Sequence, residues 1–135
     1  MVDLAPFLGR EPVVLLFFPL AFSSVCTAEM CHMRDTWERW QSVGAKVFGI
    51  SVDSPFVTDR FRDAEKIPFP ILSDFNKEVS AKYGALHAEL MGLRGVSKRA
   101  AFVIGRDGLI KFAWISEDPG KQVPFDEVLA ALASA

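Results

Sequence analysis

Cys26 stands where a thiol can be reactive. It follows an apolar run and a short loop, and it falls in the first turn of a predicted helix. Free backbone N–H groups and the positive end of the helix dipole gather there. That setting favours the thiolate, which is the nucleophilic form of a cysteine. A small buried apolar residue suits the same position, so the cysteine alone leaves both readings open. Ser23, three residues earlier, carries a hydroxyl that can hold a ligand or cap the helix. Pro19 has no backbone N–H and ends the strand before the loop. The second cysteine, Cys31, lies five residues further along the same helix.

These residues need a frame to position them. Pro12–Phe18 reads as a buried strand, because six apolar residues run from Val13 without a polar break. Ser24–Val43 reads as one helix. Met30, Met33, Trp37 and Trp40 fall three, four and three apart and make one stripe. Gly44 closes it. Lys46–Val52 is a second buried strand. Pro55–Glu65 is a short helix with Ser54 as N-cap and Pro55 in its first turn. Phe69–Leu72 is a short strand and Asn76–Tyr83 a short helix. Ala85–Ser97, with His87, Met91 and Leu93, is the longest irregular stretch and suits a flap or a plain surface loop. Arg99–Gly105 and Leu109–Ile115 are strands joined by a turn at Arg106, Asp107 and Gly108. Pro124–Ala133 is a closing helix with Val128, Leu129 and Leu132 inward. Helices between strands imply parallel pairs in a sheet covered on both faces, and the late hairpin adds an antiparallel part. The predicted fold class is α/β, a mixed central sheet flanked by helices, as in thioredoxin-like domains.

Composition narrows the function. The chain has 135 residues, 50% of them hydrophobic and 24% charged, with a formal net charge of −2. That fits one globular domain, residues 1–135, and excludes disorder as the main state. It gives no electrostatic footprint for a nucleic acid or an anionic membrane. The greasy run Pro12–Phe22 is too short to span a bilayer, and Pro19 interrupts it. Asp3 and Glu11 spoil a basic leader. A cytoplasmic location is therefore expected, with both cysteines reduced. Cys26, Cys31, His32 and His87 do not have the spacing of a metal site, and no Cys-x-x-Cys occurs. Trp37 and Trp40 read as core or interface residues.

Pro19, Ser23 and Cys26 fit Pro-x-x-x-(Thr/Ser)-x-x-Cys, and here the chain resembles the peroxiredoxins. FFPLAFSSVC looks like the alkyl hydroperoxide reductase E-like branch. CTAEMCHMRD looks like the Q-type branch, the bacterioferritin comigratory proteins, in which a second cysteine lies five positions after the first. KVFGISVDS, FPILSDF, YGA and RAAFVIGRDGLI follow in the order expected of the family. The resemblance implies a thioredoxin-like fold and a thiol peroxidase that needs no organic cofactor and no metal. It implies that Cys26 attacks the peroxide, that Ser23 holds it, and that Pro19 shields the site from water. Arg99 is implied as the arginine that stabilises charge at the sulfur and on the breaking O–O bond, with Lys98 the neighbouring alternative. Glu29 matches an acidic residue often found three positions after the attacking cysteine. Its plainer reading is a first-turn acid facing the helix dipole, and it is left outside the catalytic set.

The resemblance also implies Cys31 as the resolving cysteine. Two Cα atoms five residues apart on a helix are roughly 8–9 Å apart, while a disulfide wants roughly 4.4–6.8 Å. The first turns must therefore unwind before Cys31 can reach Cys26. A thioredoxin- or glutaredoxin-like donor would then reduce the disulfide. Two alternatives stay open: a one-cysteine peroxidase recycled by an external thiol, and a peroxide-sensing interaction module. Monomer and homodimer are both compatible with the resemblance. The start departs from the family. An N-terminal hairpin with an Ala-Pro-x-Phe phrase is expected, and Ala5, Pro6 and Phe7 lie too close to the first strand to supply it. Roughly 25 residues, enough for two short strands, are missing by that comparison.

Overall fold

A computed structural model of the protein describes residues 10–90, 92–118 and 120–135. Ala5, Pro6, Phe7 and Met91 lie outside the described residues. The elements are β1 (Val13–Phe17), α1 (Ser24–Asp35), α2 (Trp37–Ser42), β2 (Lys46–Ser51), α3 (Pro55–Glu65), β3 (Ile71–Ser73) and α4 (Glu78–Lys82). They continue with β4 (Glu89–Leu90), β5 (Leu93–Arg94), β6 (Arg99–Ile104), β7 (Ile110–Ser116) and α5 (Phe125–Ala133).

Five strands form the main sheet in the order β3-β2-β1-β6-β7. β1 pairs parallel with β2 and antiparallel with β6, and β2 pairs parallel with β3. β6 and β7 are the expected hairpin, and Gly105 N–H closes its turn on the Leu109 carbonyl at 2.8 Å. β1 is therefore buried on both faces, which is why its sequence shows no polar alternation. Val14 and Leu16 join Met30, Met33, Phe61, Val128 and Leu132 on the helix-covered face. Val13, Leu15 and Phe17 join Phe48, Phe102 and Ala85 on the other face. The mixed sheet flanked by helices is the architecture expected from the order of the segments.

The predicted helix over 24–43 is two helices. The break is at Thr36, whose backbone leaves helical geometry at φ −110°, ψ 17°. Its hydroxyl donates back to the His32 carbonyl at 2.8 Å and accepts from the indole N–H of Trp40 at 3.2 Å. A back-bonded threonine competes with the helical ladder and bends it. Trp40 is sealed in the core, while Trp37 is half-buried with its ring centroid 5.4 Å from that of Phe69. Gly44 follows α2 at φ +72°, the left-handed conformation expected of a closing glycine.

The stretch over 85–97 is not loose. Leu86 and Ser97 form an antiparallel bridge. His87 N–H donates to the Val96 carbonyl at 2.8 Å, and the Ser80 and Ser97 hydroxyls meet at 2.7 Å in the interior. Between them β4 and β5 make a small hairpin with Gly92 at φ +82° in its turn. Strands of two residues are too short to leave a periodic signal, so sequence reading missed them. Other elements shift by at most two residues at their ends, and α3 matches at both. No helix among the described residues is long and apolar enough to cross a membrane.

Phe61 of α3 ties three parts together. It is fully buried, and its ring lies 5.9 Å from that of Phe18 and 5.1 Å from that of Phe22. Phe61→Ala is expected to cost about 3–5 kcal/mol. Urea unfolding should show a lower midpoint with an unchanged slope. A midpoint within error of wild type would show that the core does not depend on this ring.

Candidate active site

The loop after β1 is built by residues with few other options. Phe18 N–H still donates to the Ile50 carbonyl at 3.0 Å. Pro19, buried, has no N–H with which to continue the ladder. The Ala21 N–H donates to Asp53 Oδ2 at 2.7 Å, and the Ser51 hydroxyl donates to the same oxygen at 2.7 Å. Asp53 therefore fastens this loop to the end of β2. Phe22 adopts φ +66° and turns the chain toward α1.

Ser23 sits at the N-cap position of α1 but does not cap it. Its hydroxyl donates to the Leu20 carbonyl at 2.8 Å and is exposed. The helical ladder begins at Thr27 N–H, which donates to the Ser23 carbonyl at 2.9 Å. The N–H groups of Ser24, Val25 and Cys26 precede that first bond, as at any helix start. The N-cap side chain takes none of them.

Cys26 points inward from this first turn and is 1% exposed. Arg99 Nη2 donates to its sulfur at 3.1 Å. The two residues are 73 positions apart in sequence, and the sheet explains their meeting. β6 runs antiparallel to β1 with Ala100 opposite Phe17, so Arg99 opens β6 where β1 ends. Arg99 shares a face with Ala101 and Val103, which pack with Cys26 and Met30. The guanidinium is also 1% exposed, and its Nη1 lies 3.2 Å from Glu29 Oε2. Lys98 points away and pairs with Glu117.

Glu29 corrects the plainer sequence reading. It is not a first-turn acid in solvent but fully buried, paired with Arg99. Its Oε1 accepts from the Val123 N–H at 3.3 Å. Burial pushes its carboxyl from 4.5 up to about 7, because removal from water outweighs the opposing pull of Arg99 and the Val123 N–H. A sequence signal for this existed. Cys26, Glu29, Met30 and Met33 are spaced i, i+3, i+4 and i+7, so the acid lies inside the buried stripe.

Cys31 is not brought to this cluster. Both cysteines are free thiols on an unbroken α1. The Cys31 thiol donates instead to Glu65 Oε2 at 3.4 Å, on α3. Of the residues expected at the site, the structure thus joins Cys26 and Arg99, with Pro19 and Ser23 on the adjoining loop, and leaves Cys31 apart.

At the start of α1 a buried thiol thus meets a buried guanidinium. The model of the AhpC/TSA family matches residues 1–113. The chain belongs to this family, the peroxiredoxins. It is 33% identical over 137 residues to alkyl hydroperoxide reductase E of Mycobacterium tuberculosis, covering 98% of this chain and 86% of that one. It is 30% identical over 139 residues to the chloroplastic 2-cysteine peroxiredoxin of Chattonella marina var. antiqua, covering 97% of this chain and 68% of the relative. Among solved structures it resembles peroxidoxin BcpB of Mycobacterium tuberculosis with a TM-score of 0.84 and 34% identity, over 97% of this chain and 84% of that one. The peroxiredoxin chain has the thioredoxin-like fold of these structures, and its activity is that of a thiol-dependent peroxidase.

The Glu29 carboxyl binds its proton more tightly in the folded chain than in the unfolded one. Its contribution to stability is complete below pH 4.5 and is lost as the pH rises to about 7. Glu29→Gln removes that slope. Wild type should therefore lose stability relative to the variant between about pH 5 and about pH 7.5, read as urea midpoints. A difference independent of pH would mean that Glu29 titrates as a surface acid does.

Proposed function

We propose that Cys26, as thiolate, attacks the terminal oxygen of hydrogen peroxide or an organic hydroperoxide. The O–O bond breaks and the sulfur keeps one oxygen as sulfenic acid. The other leaves as water or alcohol after taking a proton. The observation that carries the assignment is the 3.1 Å contact from Arg99 Nη2 to the Cys26 sulfur inside a dry core. A fixed cation at that distance stabilises the thiolate and the charge that develops on the departing oxygen. Glu29 acts through Arg99 by holding its Nη1 side. Pro19 keeps a water-binding N–H out of the site. The Ser23 hydroxyl, exposed beside the first turn of α1, would leave the Leu20 carbonyl to hold the peroxide.

In this reading Cys31 condenses with the sulfenic acid, water leaves, and a thioredoxin- or glutaredoxin-like donor reduces the disulfide. The 135 residues act as one domain, as monomer or homodimer, in the cytoplasm, where thiols persist. A one-cysteine cycle is the second reading. It is favoured by the contact of Cys31 with Glu65, which faces it away from Cys26.

Reduced protein given one equivalent of peroxide separates the two. A loss of about two mass units marks an internal disulfide, and a gain of about 16 or 32 marks an untrapped acid. Cys26→Ser should abolish oxidation. Arg99→Ala should slow the first phase on the order of 100-fold, and Arg99→Lys should not restore it fully, because the forked guanidinium serves both neighbours. A first phase as fast in Cys26→Ser as in wild type would remove the assignment.

A further inference from the structure

Cys31 is not merely turned away from Cys26; it is fastened elsewhere. Its thiol donates to the carboxylate of Glu65, the last residue of α3. Arg34 stands three residues further along α1, and on a helix that places it on the same face as Cys31. Its Nη1 donates to the Glu65 main-chain carbonyl at 2.7 Å and lies 3.9 Å from Glu65 Oε2. Its Nε bonds Asp35 Oδ1 at 3.1 Å, which steadies the side chain from α1 itself. Glu65 thus receives two side chains of α1, one on its carboxylate and one on its backbone. Burial and the Glu65 contact both push the Cys31 thiol above its ordinary range, against a smaller pull from Arg34. A cysteine held protonated on a neighbouring helix is poorly placed to attack.

We propose that Glu65 is a positioning residue that latches Cys31 to α3, so that release of this contact limits disulfide formation after Cys26 is oxidised. The proposal rests on the reading of Cys31 as resolving cysteine. In that step the Cys31 S–H proton leaves, an S–S bond forms, and the S–O bond of the sulfenic acid breaks. The hydroxyl departs as water with a proton, and no oxidant beyond the peroxide is needed. The two positions lie about 140° apart around the helix, at about 100° per residue. On the intact helix, with its thiol on Glu65, Cys31 faces α3 and not the sulfenic acid.

The test follows intact mass in acid-quenched samples after one equivalent of hydrogen peroxide. Glu65→Ala should form the disulfide about fivefold faster than wild type, the scale of one partly exposed charge-assisted hydrogen bond, with the first oxidation unchanged. Glu65→Gln, which keeps the shape of the α3 terminus and an acceptor, should show a smaller gain. Disulfide formation as slow as wild type, or slower, in both variants overturns the latch; slower formation would make Glu65 a base. Labelling of Cys31 by iodoacetamide in Cys26→Ser probes the contact without any resolving step. There, Glu65→Ala should also raise the rate about fivefold, and equal rates overturn the latch directly. If wild type takes up oxygen but forms no internal disulfide while labelling still accelerates, the resolving reading fails and takes the proposal with it.

Discussion

A guanidinium sealed from water must find negative charge close by, or the fold cannot hold it. Arg99 stands with the Cys26 sulfur on one side and the Glu29 carboxyl on the other. Both come from α1, one turn apart. The helix start, the sheet face and the Val123 N–H that steadies Glu29 all converge on this cation.

The sheet makes this convergence possible through its change of strand direction. β1 and β2 run parallel and end at the same side, where their loops meet through Asp53. β6 returns antiparallel beside β1, so its first residue, not its last, arrives at that side. An arginine in the middle of β6 would face the packed core around Met30. At the first position it reaches the loop and the helix start together. Function here depends on which end of a strand a residue occupies, as well as on which face.

Much of this was legible in the sequence, for reasons that differ by residue. The buried strands announced themselves as unbroken apolar runs, and α3 by Ser54 and Pro55 at its start. The Ser54 hydroxyl accepts from the Val57 N–H at 3.3 Å, as such a cap should. Pro19, Ser23 and Cys26 are local in sequence and carry a spacing. Arg99 was singled out only by resemblance, because nothing in an arginine at a strand start distinguishes a buried ion pair from a surface charge. The burial of Glu29 was signalled by its place in the Cys26, Met30 and Met33 stripe but masked by its type, because a carboxylate near a helix start has an adequate explanation in solvent. The Thr36 break was hidden because threonine is tolerated in helices, and only the Trp40 indole and the His32 carbonyl together reveal its bond. Glu65 gave no signal, since its partners lie more than 30 residues away.

The break at Thr36 has a mechanical meaning. A helix of 12 residues is near the limit of what stands without outside support. Had α1 continued to residue 43, it would have been anchored at its far end by Trp40, and loosening its start would have strained a longer rod. The interruption splits the rod into two short hydrogen-bonded ladders, so the backbone ladder that starts at Cys26's turn ends before the Trp40 anchor begins.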